Sequence, residues 1–181
     1  LSGDKQALIN LLSKETLTPG GTRSLIRRTS SAQIKALVKA SKYGELIVAF
    51  PMVSKAEEMA SSEKQLHSIQ KKLTGPDPGA ASRISLSAFI ETPAGVFALD
   101  DILDHTDTIS IGTNDLLALV YAGSRQSNRP YRSDDLLHPI TIKLLCQIIE
   151  VCHKKNQKVS VCGGIAASPK FLPILVGMRA D

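Results

Sequence analysis

A chain of 181 residues, 43% of them hydrophobic, is long enough for one domain with a real core and too apolar for bulk disorder. The formal charge of +5 is spread over scattered lysines and arginines, aromatics make up only 4% and Trp is absent, which argues against a nucleic-acid stacking surface. No apolar run reaches the roughly 20 residues that a bilayer span needs, and the start LSGDKQALINLL has no export pattern.

In chain order, GTRSLI (21–26) predicts a weak strand. SSAQIKALVKASKYG (30–44) predicts a helix, with Ser30 or Ser31 as cap, Ile34, Leu37 and Val38 as one stripe, and Gly44 as its end. LIVAF (46–50) predicts a buried strand closed by Pro51. Residues 54–73 predict a helix whose apolar face holds Met59, Leu66, Ile69 and Leu73. TGPDPGAAS (74–82) reads as a loop and RISLSAFIE (83–91) as a strand, and Pro93 marks a helix start before Val96-Phe97 and Ile102-Leu103. TISIG (108–112) predicts a strand, DLLALVYAG (115–123) a short helix, and the polar run 124–135 a loop. HPITIKLLCQIIEVCHKKN (138–156) predicts a helix and KVSVCGG (158–164) a strand. The last segment predicts a helix with Pro169 near its first turn.

Strands alternating with helices, with few hairpin signals, indicate an α/β fold with parallel strands. Two architectures compete, an open doubly wound sheet and a barrel of eight strand–helix units. A barrel usually takes about 250 residues, so five or six strands in this length would be an incomplete one. Cys146, Cys152 and Cys162 form no CxxC pair. An odd count without framework spacing fits a reducing, cytoplasmic setting, and Cys146 and Cys152 read as helix-core residues.

In both architectures ligands bind beyond the carboxyl ends of the strands. Strand 21–26 carries Arg23, and strand 83–91 ends at Glu91. Strand 108–112 delivers Asn114 and Asp115, with Arg125 after the next helix. Strand 158–164 delivers Cys162 with Gly163 and Gly164. Two carboxylates on neighbouring strands can hold Mg²⁺, which takes few protein oxygens and shares its shell with substrate oxygens. Arginines supply planar forks for phosphate, and a cysteine in a glycine turn can pass a proton at carbon. The combination points to Mg²⁺-assisted handling of a small phosphorylated carboxylic acid. Plainer roles stand beside it. Asn114 or Asp115 can cap the following helix, Cys162 can be a structural thiol, and Arg23 and Arg125 can be solvated. His138 before Pro139 can be a cap, and His67, His105 and His153 show no metal-ligand spacing.

FIETPAG, ISIGTNDL with its trailing SR, LLHP and VCGG occur here in the order found in the phosphoenolpyruvate (PEP)-binding domain of the PEP-utilising enzymes. Within that family the chain most resembles enzyme I of the bacterial sugar phosphotransferase system. QIKALVKASKYGELIVAFPMVSKAEEM and SGDK extend the resemblance over nearly the whole chain. The resemblance implies that residues 1–181 are a PEP-binding domain drawn from a (βα)₈ TIM-type barrel. That barrel would be incomplete, with its first and last strands and the phosphohistidine domain outside the chain. It implies Mg²⁺ ligands at Glu91 and Asp115, and contacts from Asn114, Arg125 and Arg23 (or Arg27 in its place) to the phosphate and carboxylate of PEP. It makes Cys162 the acid that protonates the enolate carbon as pyruvate forms. The partners it implies are a protein histidine, a histidine-containing phosphocarrier protein and a second copy in a homodimer, with no nucleic acid and no membrane. Three positions depart from the family. Ile47 stands where an arginine is usual, Gly164 stands for the acid of CGE, and no arginine precedes SGDK in the chain. Two other readings follow, a module of the same fold without catalysis and a fragment of a pyruvate phosphate dikinase or PEP synthase.

Overall fold

Apolar and small polar residues alternate in ISLSAFI, TISIG and KVSVC, and a pleated strand turns that alternation into two unlike faces. The computed structural model describes residues 32–74, 84–122 and 137–181. Four strands form one parallel sheet in sequential order: β1 (Leu46–Phe50), β2 (Ile84–Ile90), β3 (Thr108–Gly112) and β4 (Lys158–Cys162). The expected strand at 21–26 with Arg23 and Arg27, most of the loop at 74–82, and the loop 124–135 with Arg125 lie outside the described residues.

The register sets Val48 beside Leu86, Ala88 beside Ile109, Ile90 beside Ile111, and Ile109 beside Val159. These residues are buried on one face of the sheet. The opposite face carries Ile47, Ser85, Ser87, Ser110 and Ser160, and the Ser110 and Ser160 hydroxyls meet at 2.9 Å. The helices are α1 (32–40), α2 (Ala56–Thr74), α3 (Pro93–Phe97), α4 (Leu99–Leu103), α5 (Thr113–Val120), α6 (Pro139–Lys154) and α7 (Leu172–Gly177). Helix α2 packs on α4, α4 on α6, and α6 on β4. Met59, Leu66, Ile102, Leu103, Leu145, Ile148 and Cys152 join the apolar strand residues in one core. Among the described residues the helices therefore share the apolar face, and no strand-order reversal of the doubly wound kind occurs.

The strands at 46–50 and 108–112 have the expected bounds, and β2 and β4 lie within the runs predicted for them. The differences lie at helix ends. Gly44 follows a 3₁₀ turn (Ser41–Tyr43) at φ 171°, extended backbone that any residue adopts, so it is not a left-handed cap. The Ser41 hydroxyl at the start of that turn donates to the Val38 carbonyl at 2.8 Å. Helix α5 starts at Thr113, two residues earlier than its apolar pattern suggests. Helix α7 starts at Leu172 with Pro173 inside its first turn, where a missing N–H costs nothing, so Pro169 lies before the helix. Leu73 is exposed, as is Phe97 at 88%, whereas Val96, Ile102 and Leu103 are core. Cys152 is buried in the α6 core as expected, and desolvation pushes its thiol up to about 12, while Cys146 is half-buried.

Two aspartates repeat one device at the amino ends of the strands. Just before β3, Asp107 donates its N–H to the Leu86 carbonyl at 2.8 Å, and its carboxylate accepts the Leu86 N–H at 2.7 Å. Asp181 does the same against β4, with its N–H on the Val159 carbonyl at 3.0 Å and its carboxylate on the Val159 N–H at 2.9 Å.

Lys155 ties α4 to the end of α6, donating to the Asp100 carbonyl at 2.6 Å and to the Asp104 carboxylate at 2.7 Å. That hydrogen bond, with the ammonium charge, holds the Asp104 carboxyl below its usual range, and the same bond raises Lys155. A depressed carboxyl contributes stability above the usual value of about 3.9 and loses it as pH falls through the folded value. A raised lysine contributes fully below about 10.4 and loses it as pH rises through the folded value. Asp104 is exposed, so salt screens the pair. Thermal melts of Lys155→Met are expected to show a shallower loss of Tm on acidification below about pH 4 than the unmodified chain. The difference should shrink in about 1 M salt.

Candidate functional site at the carboxyl ends of the strands

Parallel pairing brings the carboxyl ends of all four strands to one rim. Glu91 is the first residue after β2 and is only 3% exposed. Its Oε2 accepts the Met52 N–H at 3.0 Å. Met52 reaches that position at φ 55°, a left-handed conformation that costs a side-chain-bearing residue free energy. The next residue, Thr92, caps α3 by accepting the Gly95 N–H at 2.9 Å, and its hydroxyl meets that of Ser54 at 3.1 Å. The segment after β1 is thus stitched to the segment after β2.

Glu91 also leans on β3. A Cβ at Gly112 would overlap Glu91 Cγ and stand 2.6 Å from Oε1. Glycine is required there so that the buried carboxylate can lie over the strand end. Gly112 is also the N-cap of α5, with no side-chain cap. Asn114 and Asp115 therefore fall at the second and third helical positions, not at the cap. A carboxylate in a first turn is favoured by the helix dipole, and Asp115 is half-buried there.

The ends of β3 and β4 are joined by three further contacts. Thr113 Oγ1 donates to the Cys162 carbonyl at 2.6 Å. Gly164 N–H donates to Asn114 Oδ1 at 3.0 Å. The Cys162 thiol donates to the Ile111 carbonyl at 3.3 Å, a contact that only the protonated sulfur makes. Glu91, Asn114, Asp115 and Cys162 all lie at this rim. The expected cap at the start of α6 is present, with His138 Nδ1 accepting the Ile140 N–H at 3.2 Å.

The oxygen donors suit a hard cation. Two carboxylates and an amide oxygen lie at consecutive strand ends. Among the described residues no three of His, Cys, Asp and Glu gather as a complete ligand set.

Residues 21–181 match the family described as PEP-utilising enzyme, PEP-binding domain. The chain belongs to this family. Among its curated relatives, the phosphoenolpyruvate-protein phosphotransferase of Bacillus subtilis (strain 168) is 30% identical over 149 residues, 82% of this chain and 26% of that protein. The protein of the same name from Geobacillus stearothermophilus is 28% identical over 186 residues, 100% of this chain and 32% of that protein. The multiphosphoryl transfer protein of Xanthomonas campestris is 33% identical over 184 residues, 98% of this chain and 21% of that protein. The chain thus spans between about a fifth and a third of the length of these relatives.

In this member of the PEP-binding family, residue pattern points to Glu91, Asn114, Asp115 and Cys162 but passes over Met52, Gly112 and Thr113. A backbone N–H leaves no trace in residue type. Gly112 and Thr113 do leave one, since a glycine followed by a hydroxyl between an apolar strand and an acid marks a close approach as well as a turn. Gly112→Ala is expected to destabilise the fold by about 1–3 kcal/mol through overpacking. In urea unfolding of a double-mutant cycle, most of that cost should vanish in a Glu91→Ala background. Equal cost in both backgrounds would contradict the contact.

Proposed function

We propose that residues 1–181 are the PEP-binding domain of a PEP-protein phosphotransferase of the enzyme I type. The observation that carries this reading is the buried Glu91 carboxylate, held over Gly112 three residues before Asp115, with Cys162 on the next strand. The sequential parallel order and the helices on one face support a (βα)₈ barrel as the parent architecture. The small polar face would turn inward in such a barrel.

Glu91 and Asp115 would hold Mg²⁺, and Asn114 would orient a phosphate oxygen. Arg23 and Arg125 would neutralise phosphate and carboxylate. Bound there, Mg²⁺ supplies positive charge against the transferring phosphoryl group, a reaction whose catalysis is mostly positioning and electrostatics. The bond between phosphorus and the enol oxygen breaks as a bond forms to a histidine nitrogen supplied by a phosphohistidine domain. The C=C pair of the released enolate then takes the Cys162 S–H proton at the methylene carbon. Pyruvate forms, and the thiolate recovers its proton from water. The contact of its sulfur with the Ile111 carbonyl at 3.3 Å is one that a protonated thiol makes, which supports the acid role. The phosphoryl group would pass on to a histidine-containing phosphocarrier protein at the start of sugar uptake. A homodimer and a cytoplasmic setting complete the proposal. No described helix is long and apolar enough to cross a membrane.

Calorimetry with PEP and Mg²⁺ tests the binding. Glu91→Gln and Asp115→Asn are each expected to weaken PEP at least about thirtyfold, the lower end for removing one partner of a buried charge pair. Cys162→Ala should keep binding and lose solvent deuterium uptake into the pyruvate methyl group, and undiminished uptake would remove the acid role. One observation favours a second reading, a module that keeps the fold without the reaction. Ile47, at the family's arginine position, is 66% exposed on the small polar face. Absence of heat at millimolar PEP with Mg²⁺, reversed by Ile47→Arg, would select that reading. An ATP-dependent dikinase reaction would instead select the pyruvate phosphate dikinase or PEP synthase parent.

A further inference from the structure

We infer that Thr113 is a positioning residue for Cys162, an inference that rests on the acid role proposed above. The β3–β4 ladder ends at the Gly112–Cys162 pair. Immediately beyond it β3 turns into α5, and the Thr113 hydroxyl donates to the Cys162 carbonyl at 2.6 Å. Thr113 is 1% exposed, so no water competes for that bond. The hydroxyl has no capping duty, because the N-cap of α5 is Gly112 without a side-chain cap.

The turn beyond Cys162 is shaped around this hydroxyl. Gly163 stands at φ 96°, and a Cβ there would come within 2.6 Å of Thr113 Oγ1 and 3.1 Å of Asn114. Gly164 then donates to Asn114 Oδ1. Thr113 and Asn114 together grip the peptide groups on the C-terminal side of Cys162. The thiol itself reaches back to the Ile111 carbonyl on the neighbouring strand. The Thr113 bond fixes the Cys162 carbonyl at the end of the ladder, and with it the main-chain frame from which the thiol projects. The residue acts through Cys162 and has no chemical step of its own.

The test compares Thr113→Val, which keeps the branched shape without the hydroxyl, with Thr113→Ser, which keeps the hydroxyl. The first readout is the rate of Cys162 alkylation by iodoacetamide in the full chain, located by mass spectrometry, with Cys146 as internal reference. Thr113→Val is expected to change the Cys162 rate several-fold while Cys146 keeps its rate, and Thr113→Ser is expected to restore it. The second readout is deuterium uptake into pyruvate. Thr113→Val should lose on the order of 10²-fold, the scale of an ångström misplacement, with PEP affinity within about twofold of the unmodified chain. An unchanged Cys162 rate in Thr113→Val, or equal failure of Val and Ser, overturns the inference. Absence of deuterium uptake in the unmodified chain would instead overturn the acid role, and the alkylation comparison would still decide the positioning.

Discussion

The rim depends on a buried carboxylate placed over a glycine. Glu91 leaves the end of β2, receives the Met52 N–H and lies across Gly112 at the end of β3. Burial of an ionisable group is costly unless its oxygens are satisfied. This site meets that demand with a left-handed Met52 and an N-cap that has no side chain. Both are local sacrifices of stability, and sacrifices of this kind gather at functional sites.

From that contact the rest of the rim follows as a chain. Thr92 and Ser54 join the β1 and β2 ends, Glu91 and Gly112 join β2 and β3, and Thr113 with Asn114 joins β3 and β4. Each link crosses one gap between adjacent parallel strands. Among the described residues, the candidate groups Glu91, Asn114, Asp115 and Cys162 therefore sit on strand ends and first helical turns, which a packed core holds in place. Such support is what positions reacting groups within the tolerance that catalysis demands.

Much of this order is legible in residue pattern. The apolar strands LIVAF and TISIG, bounded by Gly or Pro, have no competing helical period, so their bounds follow closely. Glu91 stands out because a carboxylate before Thr-Pro is a poor cap, and the GTND and CGG turns stand out because polar and flexible residues end apolar runs abruptly. Helix ends are harder. Pro169 suggests a start that belongs to Leu172, since proline is equally at home in a turn. Gly44 resembles a left-handed cap, yet it is extended and follows a 3₁₀ turn. The one-sided placement of the described helices is implicit in the serines of ISLSAFI and TISIG, but it becomes visible only once the register is known. Backbone donors such as the Met52 N–H are outside the reach of residue type altogether.

In the proposed function, Glu91 and Asp115 share one divalent ion. Diffraction from crystals grown with PEP and Mn²⁺, recorded near the manganese edge, tests it most directly. A single anomalous peak in inner-sphere contact with both carboxylates is expected. A peak bound by only one of them, or none at the rim while PEP is present, would contradict it.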